Sequence, residues 1–226
     1  IVARLVDKDR LREVVLGLSR QLVRHAAGAI RAVHRRDWGE AAVTLAAADE
    51  ILGQMRAATD GHPDLATAGY ALDAEKEYAE AYLTRALVRG ELDRAVGGPH
   101  GGAPAAATTE PAAAAAPLPS PGDLAIDDAA WLNGLGEAIG ELRRVALDAI
   151  RRGEIDLAEG VLARMQEAYD FLATIDLPGR ITRDLKRTTD MVRGVTERTR
   201  GDLTVALRQE RLEQALARVG RLVDEG

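Results

Sequence analysis

Residues 11–36 read LREVVLGLSRQLVRHAAGAIRAVHRR, and the spacing of their apolar positions decides the fold class. Placed at about 100° per residue, Leu11, Val15, Leu18, Leu22, Ala29 and Val33 fall on one side of a helix. Arg20, Arg24, Arg31 and Arg35, with His34, fall on the opposite side, and Glu13 shares that wedge near its N-terminal end. Such a segment buries one stripe and presents a mostly cationic one. It predicts a first helix from about Leu5 to Arg36. The composition around it agrees: Ala, Leu, Arg and Glu dominate, aromatics are only 3%, and no alternating Val/Ile/Thr/Tyr run flanks a hairpin turn. The chain reads as all-α.

Working outward, Asp37-Trp38-Gly39 breaks the pattern and a second helix spans about Glu40 to Ala58. Thr59-Asp60-Gly61-His62-Pro63 is a dense turn signal, with Pro63 suited to the first turn of a third helix reaching about Val88. From Val96 to Asp123 the sequence turns to Gly, Ala, Thr and Pro, with prolines too frequent for a persistent helix, and predicts a flexible linker. A fourth helix, capped by Asp127 or Asp128, spans about Ala129 to Arg152, and a fifth runs from Gly153 to about Ile175. Two more follow, Ile181–Arg198 and Asp202–Leu222, separated by Gly201 unless it lies inside one bent helix. Long helices joined by short turns predict an antiparallel bundle. The expected organisation is one helical domain over 1–226, with N-terminal helices in 1–95, the linker at 96–123 and C-terminal helices in 124–226.

A 46% hydrophobic content supports a substantial core. There are no cysteines, which excludes disulfides and thiolate metal sites. The chain begins at Ile1, with no signal-peptide pattern, and no apolar run approaches a membrane span. The expectation is a soluble, cytoplasmic protein. A net charge of −6 argues against coating nucleic acid with the whole surface, but leaves room for a local basic face.

Two carboxylate pairs carry the candidate chemistry. Glu77/Glu80 and Glu137/Glu141 are spaced three and four apart, so each pair shares one helix face. Facing one another, they would form an all-oxygen site of the kind that suits Mg²⁺ or Mn²⁺, with no histidine spaced to complete a di-iron motif. In a chain with 36 acidic residues, pairs at this spacing also arise simply as solvated faces. Gly134, Gly136 and Gly140 cost about 1 kcal/mol each in a helix interior relative to Ala, and predict close approach of a backbone or ligand beside the second pair.

Glu77-Tyr78-Ala79-Glu80-Ala81 resembles the Glu-Tyr-Val-Glu-Ala stretch of translin-associated protein X. Gly136-Glu137-Ala138-Ile139-Gly140-Glu141-Leu142 is similar to its acidic residue, two spacers and Gly-Glu-Leu, with Glu137 standing where the family has Asp. Gly153-Glu154-Ile155-Asp156, Tyr169-Asp170, Leu11–Val15 and the stretches Thr189–Arg193 and Arg200–Thr204 follow in family order, the last as in archaeal members. The resemblance to the translin family spans both helical halves and excludes the linker. It implies a seven-helix translin-type bundle assembling into a hollow homo-oligomer of about eight copies. It also implies binding of single-stranded RNA, or DNA, and in the catalytic branch Mg²⁺-dependent endoribonuclease activity. Under it Glu77, Glu80, Glu137 and Glu141 hold the metal and position the attacking water. The alternative is a non-catalytic nucleic-acid-binding particle of the same family.

Under either reading Arg20, Arg24, Arg31 and Arg35 are candidate phosphate contacts. The bland reading of that face is a solvated one pairing with a neighbouring helix. Trp38, Trp131, Tyr78 and Tyr82 read first as packing residues, and His25, His34, His62 and His100 are dispersed, with no zinc site or acid/base pair among them.

Overall fold

The computed structural model describes residues 1–97 and 117–224. Among these residues there are only helices, in the order α1 (Val2–His34), α2 (Trp38–Thr59), α3 (Pro63–Ala66), α4 (Gly69–Gly97), α5 (Pro121–Leu124), α6 (Asp128–Arg152), α7 (Ile155–Ala173), α8 (Gly179–Thr182) and α9 (Leu185–Asp224). Six are long and three are single turns. The all-α bundle is as expected, but its divisions depart from the sequence reading, or settle what it left open, in three places.

The expected third helix is two. Pro63 opens α3, but Thr67 turns its hydroxyl back onto the Pro63 carbonyl at 2.8 Å, and the chain re-enters a helix only at Gly69. The sixth and seventh helices are one, the alternative the sequence left open at Gly201. Gly201 has open space where a Cβ would sit, and α9 runs straight through it. One glycine costs about 1 kcal/mol, which the packing of Val192, Val195 and Leu203 outweighs, with Arg143 bonding both Thr199 and Asp202 across the position.

The third place is the linker. Residues 98–116 are outside the described residues, but the end assigned to the linker, 117–123, is built into the fold. Leu118 packs on the core, the Pro119 carbonyl accepts the Trp131 indole N–H at 2.8 Å, and Ser120 and Asp123 form a reciprocal capping box on α5. Composition announced the prolines; it did not announce that Pro121 occupies a helix N-terminus, where proline is at home.

The layering follows from α6, the most amphipathic segment, which packs on α4 at one side and on α7 and α9 at the other. Asp127 caps α6 by accepting from the Ala129 and Ala130 N–H groups, and Gly153, at φ 73°, closes it in the left-handed conformation. The hairpin α1–α2 covers the far side of α4. One cluster of buried apolar residues, running from Val15 through Leu83, Ile139 and Met165 to Leu203, joins these layers.

Candidate carboxylate site on the α4–α6 seam

The two helices that carry the glutamates are in direct contact because α6 offers glycine there. A Cβ on Gly134 would sit 2.7 Å from both the Ala79 Cβ and the Lys76 carbonyl oxygen, so nothing larger fits without parting the helices. Gly136 makes the equivalent allowance for Thr188 of α9, whereas Gly140 faces open space. The expected close approach is real at the first two glycines and absent at the third.

Across this seam, Glu77, Glu80 and Glu137 each offer a carboxylate oxygen, and these oxygens all lie within 4.8 Å of one another. Coulomb repulsion at such a distance is about 3 kcal/mol per ionised pair at an effective dielectric near 20. Glu80 bears most of it. Its residue is 8% exposed, and among the described residues it makes no hydrogen bond or ion pair. Burial, then the charges of Glu137, Glu77 and Glu141, push its carboxyl up to about 8, with Lys76 opposing.

The fourth expected ligand stands apart. Glu141 lies outside the convergent trio and is hydrogen-bonded to Nε2 of His34, which the end of α1 delivers to it. That bond holds the Glu141 carboxyl below its ordinary value against the opposing effect of burial. His34 was placed by periodicity on the cationic wedge, and its side chain is 7% exposed. Long-range pairing of this kind has no sequence signature. The other residue that sequence reading passed over is Lys76. Its Nζ donates to Glu137 Oε1 at 2.6 Å and lies 3.4 Å from Glu77 Oε1. Burial pulls the Lys76 ammonium down, but Glu137 and Glu77 outweigh it and leave it raised. Position 76, directly before the first glutamate, was the available clue.

Tyr78 and Tyr82 are packing residues, as expected: both hydroxyls donate to Asp49 at 2.7 Å, away from the glutamates. Arg20, Arg24 and Arg31 on α1, and Arg35 at its C-cap, are all exposed. Arg35 is held by Glu40, while the other three form no ion pair among the described residues.

A solved structure of AfC3PO is 27% identical to this chain with a TM-score of 0.74, covering 92% of this chain and 95% of that one. The chain is thus similar, in fold and over nearly its whole length, to translin-family C3PO structures. A second solved structure, of an AfC3PO–duplex RNA complex, gives 28% identity and a TM-score of 0.72 over 92% and 94% of the two chains. Apo-NeC3PO shares the translin-family fold at a TM-score of 0.70, with 16% identity over 91% and 96% of the chains. An uncharacterized protein of Methanocaldococcus jannaschii is 27% identical over 217 residues, covering 95% of this chain and 85% of its own. No protein-family model matches the sequence. Among the described residues, no helix is long and apolar enough to cross a membrane.

The donor set at the seam fits a hard divalent cation. Two oxygens bound at about 2.1 Å to one Mg²⁺ can be at most roughly 4.2 Å apart, so a trio already within 4.8 Å needs only small rotamer changes. Glu77, Glu80 and Glu137 are the residues that would hold it.

Proposed function

We propose that this translin-like chain binds RNA and hydrolyses its phosphodiester bonds with Mg²⁺ or Mn²⁺ held by Glu77, Glu80 and Glu137. The observation that carries the reading is Glu80: a buried carboxyl set against two others, with no counter-charge of its own touching it. A fold keeps such an arrangement at a cost, and a divalent ion is the ligand that offsets it. When bound, that ion supplies charge neutralisation at the phosphoryl group and a more acidic water. Glu77, Glu80 and Glu137 fix its position on two rigid helices. Glu141, oriented by His34, stands beside the trio as an acceptor for a proton from the attacking water.

Arg20, Arg24, Arg31 and Arg35 would contact phosphates, and the RNA duplex in the AfC3PO complex supports RNA as the polymer. Single-stranded RNA is the proposed substrate, because a flexible strand more readily reaches a seam between helices. The chain would act as a homo-oligomer, as an octamer if it follows the family. Supporting this, the distal part of α9 leaves Val205, Leu212, Leu216 and Val219 all more than half exposed.

The test is cleavage of end-labelled RNA, single-stranded and duplex, in Mg²⁺ against EDTA, with the particle mass measured alongside. Wild type should cut only with metal, and Glu80→Gln and Glu137→Gln should each lose roughly 100-fold or more of the rate while still binding RNA. Arg20→Ala combined with Arg24→Ala and Arg31→Ala should weaken binding and flatten its salt dependence. RNA binding without metal-dependent cutting in the wild type would make the chain a nucleic-acid-binding particle and no nuclease.

A further inference from the structure

The carboxylate trio already has a cation. Lys76 reaches across the seam from α4 to α6 and touches two of the three proposed ligands, Glu137 at 2.6 Å and Glu77 at 3.4 Å. Its side chain is 24% exposed, so it is enclosed along its stem and still adjoins solvent. A divalent ion bound to the same carboxylates would lie within a few ångströms of the ammonium, and two cations that close, partly shielded from water, repel strongly. One must leave.

The residue type is informative. Of the 30 basic residues only Lys8, Lys76 and Lys186 are lysines. Apart from the exposed Lys8–Asp64 pair, the lysine and arginine ion pairs among the described residues outside this site use arginine, as at Arg183–Asp73 and Arg143–Asp202. Arginine presents a planar fork that clamps a carboxylate in two places, whereas lysine is a point charge on a flexible stem that can be withdrawn. At the one place among the described residues where three carboxylates converge, the cation present is the withdrawable one.

We infer that Lys76 is an exchangeable internal counter-cation: it holds Glu77 and Glu137 together while the site is metal-free, and a divalent ion enters by displacing it into solvent. This rests on the metal-site reading above and adds a consequence to it. Metal binding is a competition against a tethered ammonium, so the apparent affinity is set below what the three carboxylates would give alone. The residue is a positioning group for the metal-free site rather than a metal ligand.

Three measurements, all without RNA, test the exchange. Calorimetric titration with Mn²⁺ should show Lys76→Met binding the ion about 3- to 10-fold more tightly than wild type. In EDTA the same variant should melt below wild type, with the deficit largely removed by Mn²⁺. The wild-type protein gives an independent readout that does not depend on the variant folding: amine acetylation followed by mass spectrometry, with Lys8 and Lys186 as internal references. Lys76 labelling should rise several-fold when Mn²⁺ replaces EDTA. Mn²⁺ binding by wild type with unchanged or weaker affinity in Lys76→Met, or with no rise in Lys76 labelling, would overturn the exchange and leave the metal site standing. Failure of wild type and variant alike to bind Mn²⁺ would overturn the metal site and the exchange together.

Discussion

Helix α4 buries three glutamates, and they are held in three different ways. Glu91, 5% exposed, is gripped by Arg94 from its own helix and by Arg164 of α7, 3.3 Å away. Gly160 is what allows α7 so close, since a Cβ there would strike the Glu91 carboxylate. Glu75, 9% exposed, accepts the Asp127 N–H at 3.0 Å and ties α4 to the start of α6. Glu80, about three turns before Glu91, converges with Glu77 and Glu137 and touches no cation among the described residues, Lys76 reaching its two neighbours instead. Residue type, helix and depth are alike across the three. What separates structure from chemistry is whether the surroundings complete the charge. Glu91 is finished by the fold, and Glu80 is left without a hydrogen bond or ion pair among the described residues.

The comparison breaks most visibly at Glu91. Glu91→Ala leaves two arginines facing each other without their shared carboxylate. Removing one member of a fully buried pair costs about 3–5 kcal/mol, and because both arginine arms reach solvent here about 2 kcal/mol is expected. Urea unfolding measures it; a change near zero would mean that Glu91 is no more completed than Glu80. Gly134→Ala comes next. Overpacking costs about 1–3 kcal/mol and better helix propensity returns about 1, so a net loss of roughly 1 kcal/mol is expected, seen as a lower melting temperature. Gly140→Ala, with open space around it, should instead gain up to about 1 kcal/mol from propensity alone. If the two glycines respond alike, the seam is not held by close approach. Glu75→Ala should cost about 1 kcal/mol through the orphaned Asp127 N–H, again by urea unfolding.

Much of this was legible beforehand, because helical periodicity is a local property. The stripe from Leu11 to Val33 and the cap at Asp127 needed only neighbours in sequence. The pairing of Glu77/Glu80 with Glu137 was legible only through the family resemblance, since spacing places two carboxylates on one face and says nothing about which face meets it. The glycines came closest to bridging that gap: Gly134 announced a close neighbour without saying that the neighbour was Lys76 and Ala79. His34 on Glu141 and Lys76 on Glu137 were invisible because each depends on crossing geometry between distant helices. The break at Thr67 and the continuity through Gly201 show the same limit in reverse. A local breaker stops a helix only where tertiary packing does not hold it.

The pH dependence of stability sharpens the comparison furthest, because it reads Glu80 without any substrate. Its carboxyl titrates near the ordinary value of 4.5 in the unfolded chain and is pushed up to about 8 in the fold. Between those values the folded protein retains a proton that the unfolded chain has released, so stability must fall as pH rises from about 4.5 to about 8. Glu141 acts in a different window: His34 holds its carboxyl low, so its contribution is present above the ordinary carboxylate range and is lost only on acidification. Glu80→Gln copies the protonated form. In EDTA it should therefore lie close to wild type near pH 5 and exceed it at pH 8, by roughly 10 °C of melting temperature. Mn²⁺ should raise the wild-type value at pH 8 and do less for the variant, which has lost one ligand. Parallel pH profiles for the two proteins would mean that Glu80 ionises freely in the fold and differs from Glu91 in nothing that matters. Divergence with metal-dependent recovery would mean that the carboxyl is costly to ionise alone and favourable to ionise beside a divalent cation, which is the property a metal site requires and a structural glutamate lacks.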